Sequence, residues 1–322
     1  MPNNIATPKV SYILLTKNRP DFLATVLDNI RQFIRPEDEL IVVDGGSAEE
    51  PGPVIERNRD IVTQWILERE SCIEEAVNLG IRKSSGDVVV NLSDDDYFYP
   101  DGVRAAVETM EKHTELDALV CGGEYTLLEP ETNQLKVIGH QWVPPGQSLQ
   151  SNWELIFKGC SAGFLLVRRS AILKYGLYDK AFKASDTEYM SRLIARGAMF
   201  KYLDVKYFRH VSRPQSQQNL HSSRAMEDRA MIALRHRSWG AFRSLPPEVL
   251  ADVLGLSKVK GGRDVMAFIQ FADVLRVSFP PVLKLFGAMV RALGWILALA
   301  RRAAAPSGQV PLTEPIRDGG LR

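Results

Sequence analysis

The chain has 322 residues, 45% hydrophobic and 25% charged, with 40 Lys and Arg against 39 Asp and Glu. That composition is ordinary for a globular protein, and the length supports one large domain or two smaller ones. A net charge of +1 excludes a general nucleic-acid binder, which needs a basic excess to neutralise phosphate. The opening residues MPNNIATPKVSYI lack a basic segment followed by an apolar one, so no signal peptide is expected. The 3 cysteines, Cys72, Cys121 and Cys160, stand far apart and form no CxxC pair. They point to a reducing, cytoplasmic compartment without a disulfide framework or a zinc site.

In chain order, VSYILL (Val10–Leu15), LIVV (Leu40–Val43), IVTQWIL (Ile61–Leu67) and VVVNL (Val88–Leu92) are short, apolar and rich in β-branched residues, as buried parallel strands are. Helical spacing separates them. Phe22, Leu23, Val26, Leu27 and Ile30 share one face, with Asn18 available as N-cap and Pro20 in the first turn. Ile73, Ala76, Val77 and Ile81 repeat the pattern, and so do Val103, Ala106, Val107 and Met110 after an opening Pro100–Asp101. Strand–helix alternation predicts βαβ units and an α/β fold with a mainly parallel sheet flanked by helices. Ligands of such sheets bind beyond the carboxyl ends of the strands, where VVDGGS and NLSDDD fall. From about residue 223 the alternation stops. Residues 223–303 read as a helical extension, and the Pro/Gly-rich 304–322 as a disordered tail.

Asp94, Asp95 and Asp96 follow a predicted buried strand. Adjacent carboxylates repel, and a hard divalent cation, Mg²⁺ or Mn²⁺, relieves that repulsion while also holding substrate phosphate oxygens. An Asp-rich helix start is the alternative, because Asp is favoured near a helix N-terminus.

The order SYILLTKNRP, ELIVVDGGS, EEAVNLGIRKSSGDVVVNLSDDDYFYPDGV resembles the family 2 glycosyltransferases, inverting enzymes of GT-A (Rossmann-like) fold. It is most similar to the subgroup with a DGGS turn, the helix LERESCIEEAVNLG included. The resemblance implies transfer of a sugar from a UDP-, GDP- or dTDP-sugar to a saccharide or lipid-linked saccharide, in polysaccharide or glycolipid assembly; the departures at Gly45, Glu70, Ser93 and Ser185 leave a catalytically silent nucleotide-sugar-binding or scaffold protein of the same fold as the alternative. It implies a division of residues 1–222 into a donor half (about 8–120) and an acceptor half (121–222). Residue by residue, Asp95 matches the metal-binding aspartate of the family's D-x-D, with Ser93 in the first position. Asp94 is implied at the ribose or metal, and Asp96 at the cap of the following helix. Thr16, Lys17, Asn18 and Arg19 are implied at the base and ribose, Asp44 at the donor through its turn, and Glu70 and Asn78 at the donor sugar. Gly45 replaces an aspartate that meets the base in other members, and Gly46 is expected to need positive φ.

KGCSAGFLLVRRSAILKYGLYDKAFKASDTEYMSRLIARG is similar to the family's second half, which implies a strand at Phe164–Val167 and makes Asp186 the catalytic base. An N-cap of the following helix is the alternative role for Asp186, and Glu188 is expected to face solvent. His210, in KYFRHVSRPQ, is implied at the metal or diphosphate, with Arg213 beside it. Within 281–302, Lys284, Arg291 and Arg302 form a basic stripe on an apolar helix. Its longest uncharged run is too short to span a bilayer. Such a helix suits peripheral contact with the inner face of the membrane, packing on the catalytic domain, or a second subunit.

Overall fold

Four apolar runs fold into neighbouring strands because each is hydrophobic on both faces, as a strand covered from two sides must be. The computed structural model describes residues 9–48, 51–69, 72–129, 131–132, 134–143, 165–212, 228–229, 231–233 and 235–236. β1 (Val10–Thr16), β2 (Glu39–Asp44), β3 (Gln64–Leu67) and β4 (Val88–Ser93) are linked by helices α1 (Pro20–Ile30), α2 (Gly52–Arg57) and α3 (Ile73–Lys83). The strands pair in parallel in the order β3-β2-β1-β4. Side chains of Tyr12, Leu14, Val42, Val90 and Leu92 face α1 and α4 (Pro100–Lys112) and form the main core. On the other face, the Gly80 side of α3 meets Ile13 and Val43.

Beyond β4 the sheet becomes mixed. β8 (Leu166–Arg168) runs antiparallel to β4 and to the start of β6 (Ala118–Leu128). The 13-residue β9 (Phe200–Ser212) runs parallel to β6, while β5 (Tyr97–Phe98) and β7 (Leu135–Gln141) add antiparallel pairs to β9 and β6. The parallel alternation is thus confined to β1–β4, the stretch where the strand–helix period is regular. α5 (Arg169–Tyr175) and α6 (Ser185–Ala195) complete the first unit.

Several local expectations are corrected. The third strand begins at Gln64, not Ile61, because Asn58 accepts backbone bonds from Ile61 and Val62 and holds that segment in a turn. The N-cap of α1 is Arg19, not Asn18, and Pro20 occupies the first turn. Asp96 does not cap α4, whose N-cap is Tyr99 and which has no side-chain cap bond. Glu188 is buried and paired with Arg192 at 3.0 Å rather than facing solvent.

By contact density the chain divides into Met1–Leu220 with Thr313–Arg322, and His221–Leu312. In the second unit the described residues include the buried Ile232 and Ala233 and a helical bond from His236 N to Ile232 O. Glu70, Arg213 and the segments 281–302 and 304–322 lie outside the described residues. No helix among the described residues is long and apolar enough to cross a membrane.

α4 lies directly on β9. A methyl group at Gly102 would sit 1.9 Å from the backbone oxygen of Lys206. Backbone cannot rotate away, so Gly102→Ala is expected to lower stability by about 3 kcal/mol, the upper end of ordinary overpacking costs. Urea unfolding followed by circular dichroism measures it.

Candidate functional site

The register of β1 with β4 sets Leu15 against Ser93, so Thr16 and Asp94 leave the sheet side by side. Thr16 Oγ1 donates to Asp94 Oδ2 at 2.7 Å. Arg19, at the head of α1, donates from Nη1 to Asp94 Oδ1 at 3.1 Å and to Asp95 Oδ2 at 2.8 Å. Ser93 Oγ donates to Asp95 Oδ1 at 2.7 Å. Thr16, Arg19, Asp94 and Asp95 are therefore brought together at the carboxyl ends of the parallel strands. Asp94 is 5% exposed. Burial pushes its carboxyl up to about 6, against the hydrogen bond from Thr16 and the charge of Arg19.

Asp96 points elsewhere. Its Oδ1 meets His210 Nδ1 at 2.8 Å and accepts from Val211 N at 3.3 Å. Burial raises its pKa, against the His210 contact. His210 is thereby held by Asp96, with Tyr125 at its ring edge, 5.9 Å between centroids.

The turn after β2 forms a second group. Asp44 is fully buried, and its Oδ1 accepts from Ser47 N at 3.0 Å and Ser47 Oγ at 2.6 Å. Ser47 Oγ in turn accepts from Asn18 N at 2.7 Å, and Asn18 Oδ1 accepts from Ala48 N at 2.7 Å. These bonds hold Asn18 at φ 55°, a left-handed conformation uncommon for a residue with a side chain. Gly46 at φ 82° is the positive-φ glycine expected of the turn. Lys17 is exposed, its stem beside Gly45. Asp44 thus braces the turn that shapes the Thr16–Arg19 segment.

Asn78 is committed to backbone: it donates to Tyr178 O and accepts from Tyr178 N, both at 2.9 Å. The Tyr178 hydroxyl accepts from Asn91 Nδ2 at 3.0 Å, and its ring stacks on Tyr189 of α6 at 4.3 Å. The N-cap of α6 is Ala184, not Asp186, which is part-buried on the first turn; its Oδ1 accepts from Thr187 N at 2.6 Å. Burial, then Tyr189 and Asp186, raise the Tyr178 pKa, which places the Asp186 charge within electrostatic reach of Tyr178.

Sequence reasoning missed Ser47, Asn91 and Tyr178. A polar Asn91 inside VVVNL was a usable signal, since a buried amide needs partners. It also missed a second acidic centre at Glu124. This residue accepts from Tyr99 at 2.7 Å and pairs with Lys206 at 2.6 Å, bonds that hold its carboxyl down at about 2.

The residues fit a hard divalent cation in one respect. Two oxygens, Asp94 Oδ1 and Asp95 Oδ2, already converge on a single positive group, the Arg19 guanidinium, which stands in for an ion's charge. Among the described residues no group of three His, Cys, Asp or Glu is preassembled for a metal.

Because the folded-state pKa of Asp94 lies above the ordinary value, ionising it opposes folding. The penalty is absent below about pH 4 and complete above about 6. In EDTA, Asp94→Asn is therefore expected to stabilise the protein at pH 7.5 by up to about 3 kcal/mol, with the advantage gone near pH 4. Thermal melts across pH check both ends.

Comparison with known proteins follows the same geometry. An uncharacterized glycosyltransferase of Rickettsia typhi is 26% identical over 193 residues, 57% of this chain and 57% of that protein. The chain thus spans little more than half the length of that relative. The amylovoran biosynthesis glycosyltransferase AmsE of Erwinia amylovora is 26% identical over 112 residues, 32% of this chain and 40% of its own length. Two solved structures share the fold. One is a mannosyltransferase of Pyrobaculum calidifontis in complex with GDP-Man and Mn²⁺ (TM-score 0.52, 15% identity, 94% of this chain and 89% of that one). The other is S. aureus TarS 1–349 in complex with UDP-GlcNAc (TM-score 0.55, 16% identity, 92% of each chain). The sheet and its flanking helices are accordingly those of a GT-A glycosyltransferase. The model of Glycosyl transferase family 2 matches residues 11–176, over half of the 322, and the chain belongs to that family.

Proposed function

We propose that the protein is a metal-dependent, inverting glycosyltransferase that moves a sugar from a nucleoside diphosphate donor to a saccharide or lipid-linked saccharide hydroxyl. The observation that carries this is the convergence of Asp94 and Asp95 on one cationic group at the rim where α/β sheets bind ligands. Asp95, with Asp94 beside it, would hold Mg²⁺ or Mn²⁺. A bound divalent ion supplies positive charge against the departing diphosphate. Thr16 to Arg19, shaped by Asp44 and Ser47, line the donor side.

Asp186 takes the proton of the acceptor hydroxyl. The acceptor oxygen then bonds to the anomeric carbon from the face opposite the breaking carbon–oxygen bond, and the nucleoside diphosphate leaves with the bonding pair. One displacement inverts the anomeric centre. The AmsE resemblance supports polysaccharide assembly as the setting. The donors carried by the two structural neighbours support a GDP- or UDP-sugar.

Isothermal titration with UDP, GDP and dTDP, each with Mn²⁺ and with EDTA, tests the donor site. One nucleotide is expected to bind with metal, and Asp95→Ala to lose that binding. Equal binding by Asp95→Ala, or no binding by the wild type, sinks the metal assignment. Once the donor is known, Asp186→Asn is expected to lower kcat by about 10²–10⁴-fold while nucleotide affinity stays within about twofold, as loss of a general base requires.

A further inference from the structure

Each oxygen of the rim carboxylates has a hydrogen-bond donor. Thr16 holds Asp94 Oδ2, and Ser93 holds Asp95 Oδ1. The two remaining oxygens, Asp94 Oδ1 and Asp95 Oδ2, are both taken by Arg19 Nη1, at 3.1 and 2.8 Å. Those are the oxygens a cation bridging the pair would use. A guanidinium and a divalent ion cannot share them, because both are positive and each would sit a few ångströms from the other.

Arg19 is also placed to leave. It stands at the N-cap of α1 with a side chain 32% exposed, its guanidinium carbon 5.9 Å from the centre of the Phe22 ring. A guanidinium carries five N–H donors in a planar fork, and its contacts with the aspartates use Nη1 alone. Such a fork matches phosphate oxygens bidentately. A diphosphate arriving at this rim offers Arg19 a second anionic partner at the moment the carboxylates are needed elsewhere.

We propose that Arg19 is a built-in counter-cation that occupies the Asp94–Asp95 pair in the empty enzyme and is exchanged for the divalent ion when the donor diphosphate draws its guanidinium away. The inference rests on the metal-dependent function above. Its consequence is coupling: ion and nucleotide bind cooperatively, and by reciprocity each tightens the other by the same factor. The ion alone binds weakly because it must displace a charge of its own sign.

The test is Mn²⁺ titration of the full chain, followed by the electron paramagnetic resonance signal of the free ion. Wild type, Arg19→Gln and the double variant Arg19→Gln/Asp95→Ala are compared without nucleotide, and then with UDP, GDP or dTDP. Arg19→Gln is expected to bind Mn²⁺ alone about tenfold more tightly than wild type, since a repelling unit charge is gone. Its coupling to nucleotide is expected to shrink to about twofold or less. The double variant is expected to lose the gain. Melting curves establish that each variant is folded at the titration temperature.

Unchanged or weaker Mn²⁺ binding by folded Arg19→Gln overturns the exchange, and so does a gain that survives in the double variant. If nucleotide binds but neither wild type nor Arg19→Gln takes up Mn²⁺ in its presence, the metal-dependent function falls and the exchange with it. Uptake by wild type with no effect of Arg19→Gln sinks the exchange alone.

Discussion

Negative charge buried at one rim of a sheet has to be compensated where it lies, and much of this structure follows from that requirement. Asp44, Asp94, Asp96 and Glu124 are all buried. An uncompensated carboxylate in such surroundings costs several kcal/mol, so each is met by dedicated donors. The partners come from different places in the chain: Ser47 for Asp44, Thr16 and Arg19 for Asp94, His210 and Val211 for Asp96, Lys206 and Tyr99 for Glu124. Compensation therefore acts as stitching. The Asp96–His210 contact joins the turn after β4 to β9, and Thr16–Asp94 fastens the ends of β1 and β4.

The compensation is uneven, and Glu124 and Asp94 mark its two extremes. Glu124, with an ammonium and a phenol in direct contact, is held at about 2 and is content as an anion. Asp94 is pushed up to about 6 although Thr16 and Arg19 both favour its charge. A site that stays under-compensated keeps an appetite for positive charge, which is what a binding rim needs and a structural ion pair does not. The price is stability in the empty protein, the trade-off that the proposed binding role would carry.

What could be read from the sequence was local. The positions of β1, β2 and β4, to within a residue at each end, and the faces of α1, α3 and α4 follow from periods of two and of three to four residues, except that Ile73, expected on the buried face of α3, is exposed; the aspartates fall at a strand end as the βαβ pattern requires. What could not be read depends on partners distant in sequence. The mixed pairing of β8, β6 and β9 leaves no periodic trace. Asp96 caps nothing because His210, 114 residues away, claims it. Glu188 is inside because Arg192, one turn on, is inside with it and also binds the carbonyls of Tyr175 and Leu177. Asn18 loses the cap position because Ser47 and Ala48 hold it in a left-handed conformation.

The same distant contacts bear on how the two proposed carboxylates keep their spacing. Tyr178 is tied at its backbone to Asn78 on α3, at its hydroxyl to Asn91 on β4, and by its ring to Tyr189 on α6. Asn91 precedes Asp94 by three residues, and Tyr189 follows Asp186 by three. A displacement of α6 must therefore break a stacked pair or a part-buried amide bond, each costing on the order of 1 kcal/mol. The proposed in-line displacement tolerates little error in the position of its base, so this bracing suits the geometry that the proposal requires. Arg19 contrasts with it: its side chain is part-exposed, it pairs with the two aspartates, and its guanidinium lies over the half-buried Phe22 ring. The rim thus combines carboxylates fixed by the sheet with a cation held chiefly by charge, so the cation can be exchanged while the carboxylates stay in place.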